Sequence, residues 1–341
     1  MKVLYIGGTG TISSACVAES VRRGLDVHVL NRGRTTRRPL PDGVTTLTAD
    51  VRDGDALRRA LAGRTYDCVV GFLDYGAEDA AATVDLLDGR IGQYVHIGSA
   101  SVYHKPVRRA PFTESTARRN PYLAYARGKI AAEDVLRRAY EERGFPVTIV
   151  RPSHTYDDAH PPLPGEWTAW DRVARGDEIV VPGDGTSLWT LTHADDFAVG
   201  LVGLIGNWQA IGEDFHITSD EALPWNEIYE VVARTAGTTA RLLHLPSEFL
   251  PVIAPDWFWS DLVVGDLAHT ALFDTTKIRR FVPSFRPVVT WAEGARRLHA
   301  WRSARPDETR PDAGTDAVLA RLAEGHRLAA AAVARLAPAR G

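Results

Sequence analysis

The amino-acid sequence predicts an α/β fold: a doubly wound parallel sheet with a smaller, interleaved C-terminal lobe. Three observations predict it. Strand and helix signals alternate through roughly the first 150 residues. The strand candidates VLYI (3–6), CVVGF (68–72) and YVHI (94–97) are near-continuous apolar runs, as strands covered on both faces require. The first of them enters a Gly-rich loop that opens a helix.

Taken in order, residues 3–6 form a strand, 13–23 a helix stopped by Gly24, and 27–30 a second strand, which makes one βαβ unit. The rhythm continues with strand 45–48, helix 54–62, strand 68–72, helix 77–88 and strand 94–97. The spacing predicts a long helix over 121–143, ended by Gly144 before strand 146–150. Beyond Pro152 the texture changes, and 157–170, rich in Pro, Gly and Trp, reads as an irregular lid. A helix at 169–175, a hairpin around 178–191, a helix at 195–205, strand 215–217, helix 224–236, an aromatic-rich helical region at 249–270 and helix 290–301 follow. Residues 303–315 read as a polar linker, and 316–337 as an Ala/Leu-rich helix interrupted at Gly325. Its stripe of Val318, Leu322, Val333 and Leu336 should dock on the chain's own body or on a partner, a possible second copy in a homodimer.

Composition narrows the function classes. The 341 residues are 45% hydrophobic and 24% charged, ordinary for a soluble enzyme, and the length exceeds one core. A net charge of −3 offers little to a nucleic-acid polyanion. The N-terminus enters MKVLYIGG with no basic segment and apolar run ahead of it, and no stretch nears twenty apolar residues, so neither a signal peptide nor a membrane span is expected. Cys16 and Cys68 are too few for a disulfide framework, which fits a cytoplasmic setting. The histidines are scattered, with no metal-ligand spacing, so no metal is expected.

The loop Gly7-Gly8-Thr9-Gly10-Thr11-Ile12-Ser13 lies between a strand and a helix, the context in which glycines cradle a dinucleotide pyrophosphate. Gly7 permits the tight turn and Gly10 the close approach. At the end of the second strand stand Asn31 and Arg32, with Arg34, Arg37 and Arg38 close behind. A carboxylate there would favour NAD; Asn and Arg favour the 2′-phosphate of NADP, so NADP or NAD is expected with NADP slightly favoured. Asp50 and Val51 follow the third strand, where they are expected to flank the adenine, with Asp50 as the N-cap of a short turn the alternative. Phe72 and Leu73 follow the fourth and border the same groove. Residues 1–155 are therefore assigned to a dinucleotide-binding domain, 156–301 mainly to a substrate lobe with segments returning to the sheet, and 302–341 to a linker and C-terminal helix.

The chemical centre is sought where strand 94–97 runs into Gly98-Ser99-Ala100-Ser101, at the carboxyl edge of the sheet. Tyr125 and Lys129 are four apart on the long helix and so share a face, roughly 5–6 Å apart at Cβ. A cation there favours phenolate, which fits Tyr125 as an acid/base near neutral pH. Ser99 supplies a dipole where charge develops on a reacting oxygen.

With GGTGTIS, S-A-S-V-Y, Y-A-R-G-K, R-P-S-H-T-Y (151–156), H-A-D-D (193–196) and F-D-T-T-K (273–277) in this order, the chain resembles the extended short-chain dehydrogenase/reductase superfamily, in particular its NAD-dependent epimerase/dehydratase branch, over residues 1–301. The resemblance implies a Rossmann fold, Tyr125 as general acid/base, Lys129 holding its phenolate and the nicotinamide ribose, and Ser99 on the reacting oxygen. It places Pro152 and His154 beside the nicotinamide. Ser101, His104, Tyr156, Trp167 and Trp189 are the expected substrate contacts.

Two departures refine this. The 4,6-dehydratases that the pattern resembles carry Asp-Glu after the serine, where this chain has Ala100-Ser101, so elimination of water is not expected. Sugar-nucleotide enzymes bring an arginine to the pyrophosphate four residues before the H-x-D-D string; here that residue is Trp189, although Arg280 and Arg286 could supply a later contact. An epimerase-type enzyme moving hydride at a secondary alcohol or ketone of a sugar- or nucleoside-like molecule ranks first. A net NADPH-dependent ketoreductase on a molecule without diphosphate is the alternative, and a non-catalytic RNA-associated member of the fold a third.

Overall fold

The computed structural model describes residues 1–33 and 38–336. Arg34 and Arg37 lie outside the described residues.

The nucleotide half runs β1 (Lys2–Ile6), α1 (Thr11–Arg22), β2 (Asp26–Asn31), β3 (Thr45–Thr48), α2 (Gly54–Leu61), β4 (Tyr66–Gly71), α3 (Ala77–Leu87), β5 (Ile91–Ile97), α4 (Ala124–Arg143) and β6 (Val147–Pro152). There follow β7 (His154–Tyr156), α5 (Glu166–Arg175), β8 (Glu178–Val180), β9 (Leu188–Trp189), β10 (Leu191–His193), α6 (Ala194–Leu204), β11 (Asp214–Ile217), β12 (Leu223–Pro224), α7 (Trp225–Thr235) and β13 (Arg241–Leu243). The chain ends with α8 (Leu250–Ile253), α9 (Phe258–Leu262), a π-helical turn (Val263–Leu267), α10 (Thr276–Phe281), α11 (Trp291–Ala304) and α12 (Ala313–Ala334).

Among the described residues, seven parallel strands form the central sheet in the order β11-β6-β5-β4-β1-β2-β3. The apolar runs are buried on both faces because the strand alternation feeds two cores. Val3 and Tyr5 join α1, α6 and α10 on one side through Phe197, Leu201 and Ile278; Leu4 and Ile6 join α3 and α4 on the other through Val84 and Leu136. Parallel pairing throughout gathers the carboxyl ends of the strands on one edge, where a ligand crevice forms.

A third core holds the smaller lobe, built on Trp170, Trp225, Trp291 and Leu298, all fully or almost fully buried. Within the sheet body a buried charge cluster ties three elements together: Arg151 on β6 reaches Glu133 on α4 at 2.6 and 2.9 Å and Asp214 on β11 at 2.8 Å. The guanidinium has carboxylate partners on both sides in a dry site.

The expected hairpin at 178–191 does not form. Its strands are too short to pair with each other, and each finds a distant partner: β8 pairs in parallel with β13, β9 antiparallel with β12, and β10 in parallel with β7. The C-terminal helix is continuous through Gly325 and starts earlier than expected. Its first half packs on the chain's own lobe, burying Leu319 and Leu322 against α5, β8 and α8, while Val333 and Leu336 stay exposed. No helix among the described residues is long and apolar enough to cross a membrane, and no cluster of three His, Cys, Asp or Glu among them could hold a metal.

Candidate active site

The glycine loop is built by close approach. Gly7 takes φ +93°, and its amide donates to the Leu30 carbonyl at 3.0 Å. A Cβ on Gly8 would stand 2.8 Å from a Val29 methyl carbon, so this position admits only glycine without a shift of β2. Gly10 is less constrained. Its amide donates to the Ser13 hydroxyl at 2.8 Å, and only that oxygen would meet an added Cβ, at 3.3 Å. Thr11 and Ile12 open α1, whose first turn holds no acidic side chain and whose N-cap offers no side-chain acceptor. Positive helix-end amides beneath a cradle without side chains fit a dinucleotide pyrophosphate. Thr9 lies on the same loop, and a Cβ on Gly7 would crowd the Leu73 side chain at 3.1 Å.

Along the rest of this groove, the Asn31 side chain accepts from the Gly33 amide at 2.8 Å, and Arg32 is exposed. Arg38 is not free: its Nε donates to Asp157 at 2.5 Å, and Nη2 lies 3.4 Å from the Thr11 hydroxyl. Asp50 accepts from the Arg52 amide at 3.1 Å, closing a turn, with Val51 against the α3–α4 core. Phe72 stacks on Tyr5 with ring centroids 6.3 Å apart.

A cavity of about 130 Å³ opens at the carboxyl edge of the sheet. Ser99, Ala100 and Ser101, from the turn after β5, form one wall, with the Ser99 and Ser101 hydroxyls 2.8 Å apart. Tyr125 enters from α4; Pro152, Ser153 and His154 from the end of β6; Trp189 from β9. A further wall is Leu262, Asp266 and Leu267 from the π-helical region and the residue before it, together with Ala271 and Phe273.

Lys129 reaches this region because of Gly128. A Cβ there would stand 2.4 Å from the Tyr75 carbonyl oxygen, so glycine lets α4 press against the loop after β4. The Lys129 ammonium then donates to the carbonyls of Asp74 at 2.7 Å and Ile97 at 2.8 Å, and lies 4.6 Å from the Tyr75 ring centroid and 6.0 Å from that of Tyr125. Burial drives its pKa down to about 8, against the pull of Asp74 and Glu133.

The expectation that a cation lowers the Tyr125 phenol is corrected here. The Tyr125 residue is 43% exposed at the cleft, yet the protein around it removes water and pushes the phenol up to about 12; Tyr75 and Asp266 add to this and Ser99 opposes it. Without ligand the phenol is a protonated acid at neutral pH.

Three expected substrate contacts lie elsewhere. Tyr156 is buried against His193 and Trp291, and burial raises its phenol far above the ordinary range. Trp167 lies inside α5, not in a loop; it donates to the Ala159 carbonyl at 3.1 Å and packs on Trp170. His104 faces the surface near Pro106 and Arg119, outside the cavity. Arg280 and Arg286 are exposed and do not line the cavity either. Trp189 does line it, held by stacking on Trp225 at 5.7 Å and by donating to His154 Nδ1 at 3.1 Å; burial takes His154 down to about 3, so the imidazole is neutral.

Sequence reasoning missed Asp266 and Asn120. Asn120 is buried and fully used: its amide donates to the carbonyls of Ser101 (3.0 Å) and Gly265 (2.9 Å), and its oxygen accepts from the amides of Tyr122 (3.1 Å) and Leu123 (3.2 Å). It joins the serine turn, the π-helical turn and the start of α4. An Asn-Pro pair before a helix is the signal that could have found it; Asp266 carries none.

Residues 3–218 match the NAD dependent epimerase/dehydratase family. The chain belongs to that family. It is thus an NAD(P)-dependent enzyme of the short-chain dehydrogenase/reductase type, with the Rossmann fold seen above. Among its relatives, 2′-dehydrokanamycin reductase of Streptomyces kanamyceticus is 28% identical over 291 residues, covering 84% of this chain and 80% of that one. The 41 kDa chloroplast stem-loop binding protein b of Arabidopsis thaliana is 26% identical, over 73% of this chain and 67% of that one. Among solved structures, the UDP-glucose 4-epimerase of Bifidobacterium longum, in complex with NAD+ and UDP, superposes with a TM-score of 0.72 over 90% of this chain and all of its own at 19% identity; the fold is shared.

Proposed function

We propose that this family member is an NADPH-dependent reductase of a ring ketone on a sugar-like molecule that carries no nucleoside diphosphate. The observation that carries the reading is the cavity's make-up. Ser99 and Tyr125, with the Ser101 and Ser153 hydroxyls among the other lining residues, face a largely apolar chamber, and no Arg or Lys stands among the described residues that line it. A diphosphate would be desolvated there without a counter-charge, which costs several kcal/mol, on the order of that for any unpaired buried ion. A neutral ring meets Trp189 and the aliphatic wall instead, as polar rings stack on indoles. The kinship with a 2′-dehydrokanamycin reductase supports the same choice.

Bound NADPH would supply the hydride. Gly7, Gly8 and the amides of Thr11 and Ile12 would hold its pyrophosphate, and Asn31 and Arg32 its adenosine end, with Arg32 free to meet a 2′-phosphate. Ser99 would donate to the carbonyl oxygen, and Tyr125, held protonated, would give that oxygen its proton as negative charge develops. Lys129, anchored on two carbonyls, fixes a positive charge behind the phenol and makes loss of its proton less costly. The net charge of −3 gives no support to RNA binding.

The test offers purified enzyme cyclic ketones with NADPH and, separately, UDP-glucose with NAD+. The expected result is NADPH consumption with release of NADP+ and the alcohol, and no UDP-galactose. Interconversion of UDP-hexoses on retained cofactor, with no ketone-dependent NADPH oxidation, would overturn the reading.

A further inference from the structure

One wall of the cavity carries a carboxylate that the reaction above does not use. Asp266 is the one charged side chain among the described lining residues, and it is set into the π-helical turn Val263–Leu267, a local geometry that recurs at functional sites. Three buried groups from different elements hold this turn. Asn120 donates to the Gly265 carbonyl at 2.9 Å, the Trp225 indole donates to the Leu267 carbonyl at 2.7 Å, and Lys105 meets Asp266 Oδ1 at 3.0 Å.

Lys105 itself is 1% exposed and does not line the cavity. The pair is therefore a dipole whose negative end faces the substrate space. Lys105, behind the wall, is its counter-charge, and among the described lining residues no second cation competes for it: His154 is neutral, and the Lys129 ammonium is spent on two main-chain carbonyls. The ion pair engages Oδ1, and the second carboxylate oxygen keeps acceptor capacity for a donor on a ligand that has displaced water. A cationic donor satisfies it best, because charge-assisted hydrogen bonds are the stronger kind.

Resting on the ring-ketone reading, we propose that Asp266 selects substrates that carry a protonated amine on the reacting ring or beside it, and that it rejects carboxylated or phosphorylated ones. Ser99 and Tyr125 hold one edge of the ring at the reacting oxygen. Asp266 lines the same cavity and takes the ammonium, and Trp189 lines the space with them. Aminated sugars and aminocyclitols are the class that fits.

The test is a binding measurement on NADP+-loaded enzyme, followed by intrinsic fluorescence and calorimetry, with cyclohexylamine, cyclohexanol and cyclohexanecarboxylate as probes. The amine should bind at least about tenfold more tightly than the alcohol, the step expected of one charge-assisted contact, and the carboxylate more weakly than both. Asp266→Asn should bring the amine and the alcohol to within about threefold of each other. Should that variant fold poorly because Lys105 loses its counter-charge, the double variant Lys105→Met, Asp266→Leu replaces the pair with apolar groups and should give the same loss. Equal affinity for amine and alcohol in the wild type would overturn the proposal, as would a preference that survives both variants. Because no hydride moves in this assay, such a result would leave the ketoreductase reading standing, whereas failure of NADPH-dependent ketone reduction would remove that reading and leave the amine preference measurable.

Discussion

At the scale of single residues, the electrostatics of Tyr125 and Lys129 invert the simplest expectation. Spacing on a helix suggests a cation that lowers a phenol, but the ammonium points at the carbonyls of Asp74 and Ile97, and loss of water dominates both groups. The consequence is a testable pH profile. Lys129 is charged below about 8 and neutral above, so kcat/KM for ketone reduction should fall as pH rises through about 8. In Lys129→Met the residual activity should be flat across the same range. Stability moves the other way. The folded pKa lies below the ordinary 10.5, so the unfolded chain binds more protons between these values, and Lys129 makes the fold more stable as pH rises through that window. A fall in activity over a stable fold identifies the lysine charge; a pH-independent rate from 7 to 9 would remove Lys129 from this role. The spacing put the two residues on one helix face but said nothing of direction, because the carbonyls that capture the ammonium come from the loop after β4 and the end of β5, 55 and 32 residues away in sequence. Trp167 and Trp189 teach the same lesson: both stand in stretches that read as loop, and only tertiary packing sends one to a core and the other to the cavity wall.

At the scale of elements, the parallel strands and their helices were legible because each is buried on a pattern that the residues carry locally. Residues 45–48 match β3 in full, and the long helix predicted over 121–143 differs from α4 only at its start, where Asn120 holds the first turn open. The strands of the smaller lobe were not legible, since two- and three-residue strands carry no period and their partners lie 30 to 60 residues off. The glycine loop divides in the same way. Its existence was plain, but the reading emphasised Gly7 and Gly10, and the position with no room is Gly8. Gly8→Ala should cost about 1–3 kcal/mol of stability through overpacking on Val29 and weaken NADPH binding at least about tenfold, whereas Gly10→Ala should change both less. Thermal unfolding with parallel cofactor titration measures this, and equal effects of the two substitutions would contradict the steric account.

At the scale of the whole molecule, two lobes meet across a cavity whose walls come from both, and the C-terminal helix braces the second. Its first half buries Leu319 and Leu322, and Asp316 reaches Arg172 on α5 at 2.9 Å. Removing residues 313–341 should destabilise the smaller lobe by about 3–6 kcal/mol, at about 1.5–3 kcal/mol per buried leucine. NADPH affinity should change little, because the elements that α12 chiefly packs on, α5, β8 and α8, belong to that lobe. Urea unfolding with cofactor titration tests this; unchanged stability would show that the helix is passive. The family was readable from the order of its motifs, while the proposed amine selectivity rests on two residues outside them, Asn120 and Asp266. Neither belongs to a repeating pattern, and their importance follows from what long-range folding brings beside them.

The central claim is that Tyr125 gives its proton to the oxygen of a ketone as hydride arrives. It is tested most directly by single-turnover hydride transfer from NADPH to a cyclic ketone in wild type and Tyr125→Phe, with the NADPH Kd measured on both. The account predicts a rate lower by about a hundredfold or more at an unchanged Kd. A variant that transfers hydride at the wild-type rate would contradict it.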